Sequence, residues 1–154
     1  MSQHTATVSW KNEATDFMTG RYSRAHEWRF DGGLTVPASS SPAVVRAPLS
    51  NPANIDPEEA YVASISSCHL LTYLRLARLA GFAIDSYEDQ AVGETVKNER
   101  GVPWIATVVL APKIVYSGDK RPTPEEEERL HHQAHEQCFV SQSIRTEVTV
   151  KRPD

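Results

Sequence analysis

The chain has 154 residues, 40% of them hydrophobic and 23% charged, which is an ordinary globular composition. That length predicts one domain and a core that needs no staples, and the composition excludes a disordered chain, a collagen-like chain and a disulfide scaffold. Sixteen basic against twenty acidic residues leave a net charge of −4, which argues against a nucleic-acid partner bound through phosphates. Thr5 to Trp10 alternates small polar and apolar residues and predicts a strand. Ser23 to Phe30 alternates likewise. Asp31-Gly32-Gly33 follows as a turn and Leu34 to Val36 leads away, so the three segments predict an antiparallel meander. Pro37 to Pro57 carries five prolines and a serine run and reads as a loop, of a length usually functional or disordered.

A long helix is predicted next. Asp56 stands at the N-cap, Pro57 at the first helical position, and Glu59 where a capping-box acid reaches back. Apolar residues from Val62 to Leu79 cover much of its circumference, the pattern of a helix buried on most sides, and Gly81 supplies the stop. Pro57 to Ala80 would span about 36 Å. Ala83 to Val96 and Trp104 to Tyr116 read as two long strands joined by a turn at Asn98 to Pro103. A second helix starts at Thr123, with Pro124 and a T-x-x-E capping box to Glu126, and runs to about Cys138. A short helical turn and a strand over Ile144 to Lys151 close an α+β chain whose strands are mostly hairpin-connected. The N-terminus has no basic segment followed by an apolar stretch, and no run approaches the 20 or so apolar residues of a membrane span. A cytoplasmic setting without a membrane partner is the expectation.

Chemistry concentrates on the two cysteines, Cys68 and Cys138. A cytosolic chain is not expected to carry a permanent disulfide, whereas a transient redox pair is allowed. Cys68 sits in mid-helix among Ser64, Ser66, Ser67 and His69, a small and polar wall. By itself such a cysteine reads as a buried small hydrophobe. As a reagent it must be a thiolate, which calls for a nearby cation. Arg24, Arg21 and Arg29 in the meander and Arg75 on the same helix are the candidates, and Glu58 or Glu59 could hold such an arginine, although first-turn helix charge accounts for both acids equally well. Cys138 lies at a helix C-terminus, where the dipole disfavours an anion, and so reads as a resolving partner. A competing constellation is His131, His135 and Cys138, on one helical face at metal-ligand spacing. His26 and His69 read as hydrogen-bonded or site-lining residues.

Three segments carry a resemblance. Asn51 to Phe82 (NPANIDPEEAYVASISSCHLLTYLRLARLAGF), Cys138 to Val150 (CFVSQSIRTEVTV) and Ser23 to Gly33 (SRAHEWRFDGG) resemble the OsmC/Ohr family of thiol-dependent peroxidases, on its OsmC-like branch, over nearly the whole chain. The resemblance implies a single OsmC/Ohr-like domain over 1–154, with antiparallel sheets around a long buried central helix in an intertwined homodimer. It implies a cysteine-based, peroxiredoxin-type hydroperoxide reductase without a cofactor, serving oxidative-stress defence. Cys68 matches the peroxidatic cysteine, Cys138 the resolving cysteine, Glu58 the glutamate, and Arg24 (with Arg21 second) the arginine. A dithiol of the lipoyl type would be the reductant and organic hydroperoxides the substrates. Two positions depart from the family pattern: His69 stands where Phe is common and Phe139 where proline is usual. Glu58 and Cys68 are ten residues apart, about 15 Å of straight helix, which a glutamate cannot bridge. Either the helix breaks or a second subunit supplies Glu58 and Arg24. Alternatives to the peroxidase are a small-ligand binding protein on the same fold and a metal-binding protein using His131, His135 and Cys138.

Overall fold

In the computed structural model, which describes residues 1–152, the meander forms as expected. Strands β1 (Ala6–Ser9), β2 (His26–Phe30) and β3 (Thr35–Ala38) make an antiparallel sheet, with Val8 opposite Trp28 and Trp28 opposite Val36. Gly33 has φ +87 and its amide donates to the Phe30 carbonyl at 3.0 Å, closing the turn in a conformation that a side chain would strain. A 3-10 turn, Phe17–Thr19, lies between β1 and β2.

The proline-rich segment after β3 is held by hydrogen bonds. Ile55 bridges to Ala38 in parallel register, the Ser39 amide donates to the Ile55 carbonyl at 2.9 Å, and the Asn51 amide donates to the buried Ser39 Oγ at 2.9 Å. At its end the Asp56 carboxylate accepts from the Glu59 amide at 2.8 Å while the Glu59 carboxylate accepts from the Asp56 amide at 3.1 Å, the predicted capping box. The helix it opens, α1, runs over Pro57–Leu79.

The chain divides into two compact units, residues 1–60 and 61–154. Within the second, α1 ends in a Schellman motif: the Phe82 amide donates to the Ala77 carbonyl at 2.9 Å, the Gly81 amide to the Arg78 carbonyl at 3.1 Å, and Gly81 has φ +84. Ile65, His69, Tyr73 and Ala77, four residues apart, form one buried stripe, while Leu71 and Leu79 are more than half exposed. Within a single chain one face of this helix is covered, not most of its sides.

The two long predicted strands are one antiparallel hairpin whose arms are each interrupted midway. Strand β4 (Ala83–Asp89) pairs with β7 (Pro112–Ser117), and β5 (Val92–Lys97) pairs with β6 (Pro103–Leu110). The interruption has a local cause. Asp89 takes the Ala111 amide on its carboxylate at 2.7 Å and also bonds the Ser66 hydroxyl, and Pro112 has no N–H to give to a ladder. Strand β5 lies close to α1: a Cβ on Gly93 would stand 2.6 Å from a Val62 methyl.

Helix α2 (Pro124–Gln137) begins with the predicted Thr123–Glu126 capping box. Cys138 ends α2 and begins α3 (Phe139–Gln142), and β8 (Glu147–Val150) follows. Strand β8 is the exception to hairpin connectivity, since it lies parallel to β6, with Val148 opposite Val108. Two apolar cores result. Tyr73, Ala77, Phe82, Leu130 and Ala134 form one, and Ile65, Val108 and Leu110 the other. Among the described residues no helix is long and apolar enough to cross a membrane.

Candidate active site

Two groups of functional side chains form, one in each unit. In residues 61–154, the buried stripe of α1 turns Cys68, one residue before His69, toward the junction of α2 and α3. Cys68 is half-buried beside Cys138, which is fully buried, and both are free thiols. Burial, reinforced by the neighbouring Cys138, pushes the Cys68 thiol above its ordinary pKa, while the amides of Val140 and Phe139 at the start of α3 pull the other way. Cys138 also accepts a hydrogen bond from the Ser141 amide at 3.4 Å, so it sits at the end of one helix and caps the next. The sulfur open to a visitor is Cys68. It lines a cleft of about 550 Å³ with Ser64, Leu71, Arg75, Gln137 and Phe139.

In residues 1–60, Arg24 and Glu58 line one cavity of about 490 Å³ with Trp10, Phe17, Tyr22 and His26. Tyr22 stacks on Phe17 with centroids 4.5 Å apart, and Trp10 meets Tyr22 edge-on at 5.5 Å. The Arg24 guanidinium lies 3.7 Å over the Tyr22 ring and donates to the carbonyls of Gly20 at 2.9 Å and Tyr22 at 2.5 Å. The two carbonyls and the ring fix the fork of Arg24. Glu58 does not do so, since no Arg24–Glu58 ion pair forms among the described residues. Glu59 is spent on the capping box, and Arg21 and Arg29 do not line this cavity. His26 Nε2 accepts from the Trp28 indole at 3.0 Å, so its Nδ1 carries the proton donated to the Arg24 carbonyl at 2.7 Å.

His131, His135 and Cys138 are not brought together as a ligand set. Among the described residues no group of three or more His, Cys, Asp or Glu is placed to hold a metal ion. Cys138 turns to Cys68, and His131 Nδ1 meets His69 Nε2 at 3.0 Å, the rings stacked at 12° with centroids 5.3 Å apart. Sequence reasoning missed this pair, which joins α1 to α2 beside the cysteines. Burial lowers the pKa of each ring to about 4. Below them the Tyr73 and Tyr116 hydroxyls bond at 2.7 Å, and Tyr116 donates to Glu127 at 2.8 Å. A histidine on the apolar stripe of α1 was the available signal; its partner on another helix was not visible.

Comparison with known proteins places this geometry. Residues 50–152 match the family model described as OsmC-like protein. Over its whole length the chain is similar to an OsmC-like protein of unknown function from Vibrio cholerae: identity is 47%, 99% of this chain and 100% of that chain are covered, and the TM-score is 0.95. An organic hydroperoxide resistance protein from Elizabethkingia anophelis shares the fold at 19% identity, covering 99% and 98% of the two chains with a TM-score of 0.71. The organic hydroperoxide resistance protein OhrB of Bacillus subtilis shares it at 21% identity, with 97% and 98% covered and a TM-score of 0.64. No match is found among curated proteins. The family model spans two thirds of the sequence and the Vibrio relative nearly all of it, and on both grounds the chain belongs to the OsmC-like protein family.

Proposed function

We propose that this protein is a thiol-dependent peroxidase that reduces organic hydroperoxides in the cytoplasm. The observation that carries the reading is the thiol pair: an accessible Cys68 on a cleft, beside a buried Cys138 seventy positions away in sequence. The Cys68 thiolate attacks the terminal oxygen of the hydroperoxide. The O–O bond breaks, the alkoxide leaves and takes a proton to become the alcohol, and the sulfur, oxidised by two electrons, becomes a sulfenic acid. The Cys138 thiol then displaces water from the sulfenic acid and a disulfide forms. An external dithiol, of the lipoyl type, reduces it by exchange and becomes a disulfide itself.

Activation needs a cation, because burial and Cys138 hold Cys68 protonated. Arg24 of a second copy of the chain supplies that charge in this reading, with Glu58 of the same copy lining its cavity. Helix α1 is unbroken from Pro57 to Leu79, so Glu58 stands about 15 Å of helix rise from Cys68. A homodimer with composite sites satisfies that spacing. Arg24, its fork held by two carbonyls, would stabilise the thiolate and the charge that develops across the breaking O–O bond. The apolar side chains around both groups favour an organic over an inorganic peroxide.

The test is peroxide-dependent oxidation of dihydrolipoamide. Wild type should turn over with cumene hydroperoxide, and Cys68→Ser should abolish turnover. Cys138→Ser should stop after one equivalent of sulfenic acid, trapped by dimedone, and Arg24→Gln should slow the first oxidation. Absence of turnover with every peroxide would discard the reading in favour of a small-ligand binding protein. A monomer that retained full activity would discard the composite site.

A further inference from the structure

The cleft beside Cys68 contains one charged side chain, Arg75, which the thiol chemistry above does not use. Arg75 follows Cys68 by seven residues, two turns of α1, so both lie on one helix face with about 10 Å of rise between their backbones. Long helical side chains lean toward the N-terminus, which brings the guanidinium back over the cleft. Between the two stand Leu71, 64% exposed in the single chain, and across from them Phe139, 84% exposed in the single chain. One guanidinium nitrogen donates to Gln137 Oε1 at 2.5 Å, which ties the group to the end of α2. The remaining N–H donors of that fork are free of any described partner. A guanidinium keeps its charge at every working pH, and its fork matches a carboxylate in a bidentate pair. The cleft therefore presents, in order along one helix face, a thiol, an apolar wall and an anchored cation.

We propose that Arg75 sets the specificity of the Cys68 site by pairing with a carboxylate at the far end of an apolar chain, whose reactive end meets the thiol. This rests on Cys68 as the reacting group but does not require that the reaction be peroxide reduction. The anchor on Gln137 lowers the ordering cost of the pair, since the arginine is already held when the ligand arrives. An exposed pair of this kind corresponds to a preference of roughly threefold, about 0.6 kcal/mol, and weakens as salt screens it.

The experiment is a labelling competition in the full-length protein. An iodoacetamide bearing a medium-length alkyl carboxylate, and the methyl ester of the same reagent, are reacted with wild type, Arg75→Gln and Arg75→Lys, and the label on Cys68 is quantified by mass spectrometry. The acid should label wild type about threefold faster than the ester. The ratio should fall toward one in Arg75→Gln, be partly kept in Arg75→Lys, and decline with added salt. Equal rates for acid and ester in wild type overturn the proposal, as does a preference that persists in Arg75→Gln. In parallel, turnover is measured with a hydroperoxy carboxylic acid and its methyl ester. Acid-selective labelling without any peroxide turnover upholds the recognition and removes the peroxidase. Turnover that treats acid and ester alike, with unselective labelling, keeps the peroxidase and removes the role of Arg75.

Discussion

Acidification should unfold this protein through the His69–His131 pair. Both rings sit between α1 and α2, and burial lowers each to a pKa of about 4 against an ordinary 6.5. A base whose folded pKa is depressed is neutral in the native state and takes up its proton on unfolding. Its contribution is whole above pH 6.5 and is lost as pH falls from 6.5 toward 4. A shift of this size corresponds to about 3 kcal/mol for one ring, and by pH 5 about 2 kcal/mol of that should be gone. The second ring adds a loss of similar size, because repulsion between the two imidazoles opposes a second proton in the folded state. Other groups face the pair. Asp89 on β4 favours the charged form of His69, His135 on α2 opposes it, and Arg152 opposes charge on His131. Urea denaturation at fixed protein concentration, followed by circular dichroism from pH 7.5 to 5, measures the loss. His69→Leu with His131→Leu should flatten the profile over that range. A wild-type midpoint that does not move between pH 7 and 5, or an equal fall in the double variant, would refute the reasoning.

Three further outcomes follow from packing and hydrogen bonds. Gly93→Ala places a methyl where a Val62 methyl already stands at 2.6 Å, and should cost about 1–3 kcal/mol by urea denaturation; no loss would mean that β5 and α1 separate more readily than they pack. Asp56→Ala removes the oxygen that accepts the Glu59 amide and should cost about 1 kcal/mol, with faster hydrogen exchange confined to the first turn of α1. Asp89→Ala leaves the Ala111 amide without its acceptor and should cost about 1–3 kcal/mol, with Ala111 among the amides that lose protection.

Local chemistry was legible wherever one stretch of chain decides the outcome. Asp56, Pro57 and Glu59 start α1, Gly81 stops it, and Thr123 and Glu126 start α2, because each cap closes hydrogen bonds within four residues. The meander was readable for the same reason: its turn and its alternation lie within one short segment. Which apolar residues of α1 find a neighbour in one chain was not legible, because composition counts them without placing them. Leu71 and Leu79 do not find one within their own unit, and Ile65, Tyr73 and Ala77 do.

By itself, then, the sequence determined the elements, the two cysteines as the centre of interest, and a family resemblance that the comparisons bear out. Tertiary structure decided what depends on distant residues meeting. It interrupted the long hairpin at Asp89 and Ala111, laid β8 parallel to β6, and turned His131 from a candidate ligand into the partner of His69. It also brought Cys138 against Cys68, burying one sulfur and leaving the other open on a cleft. These contacts close loops of twenty to seventy residues, and what selects them is shared burial and complementary hydrogen bonding in the packed chain, to which no local propensity corresponds.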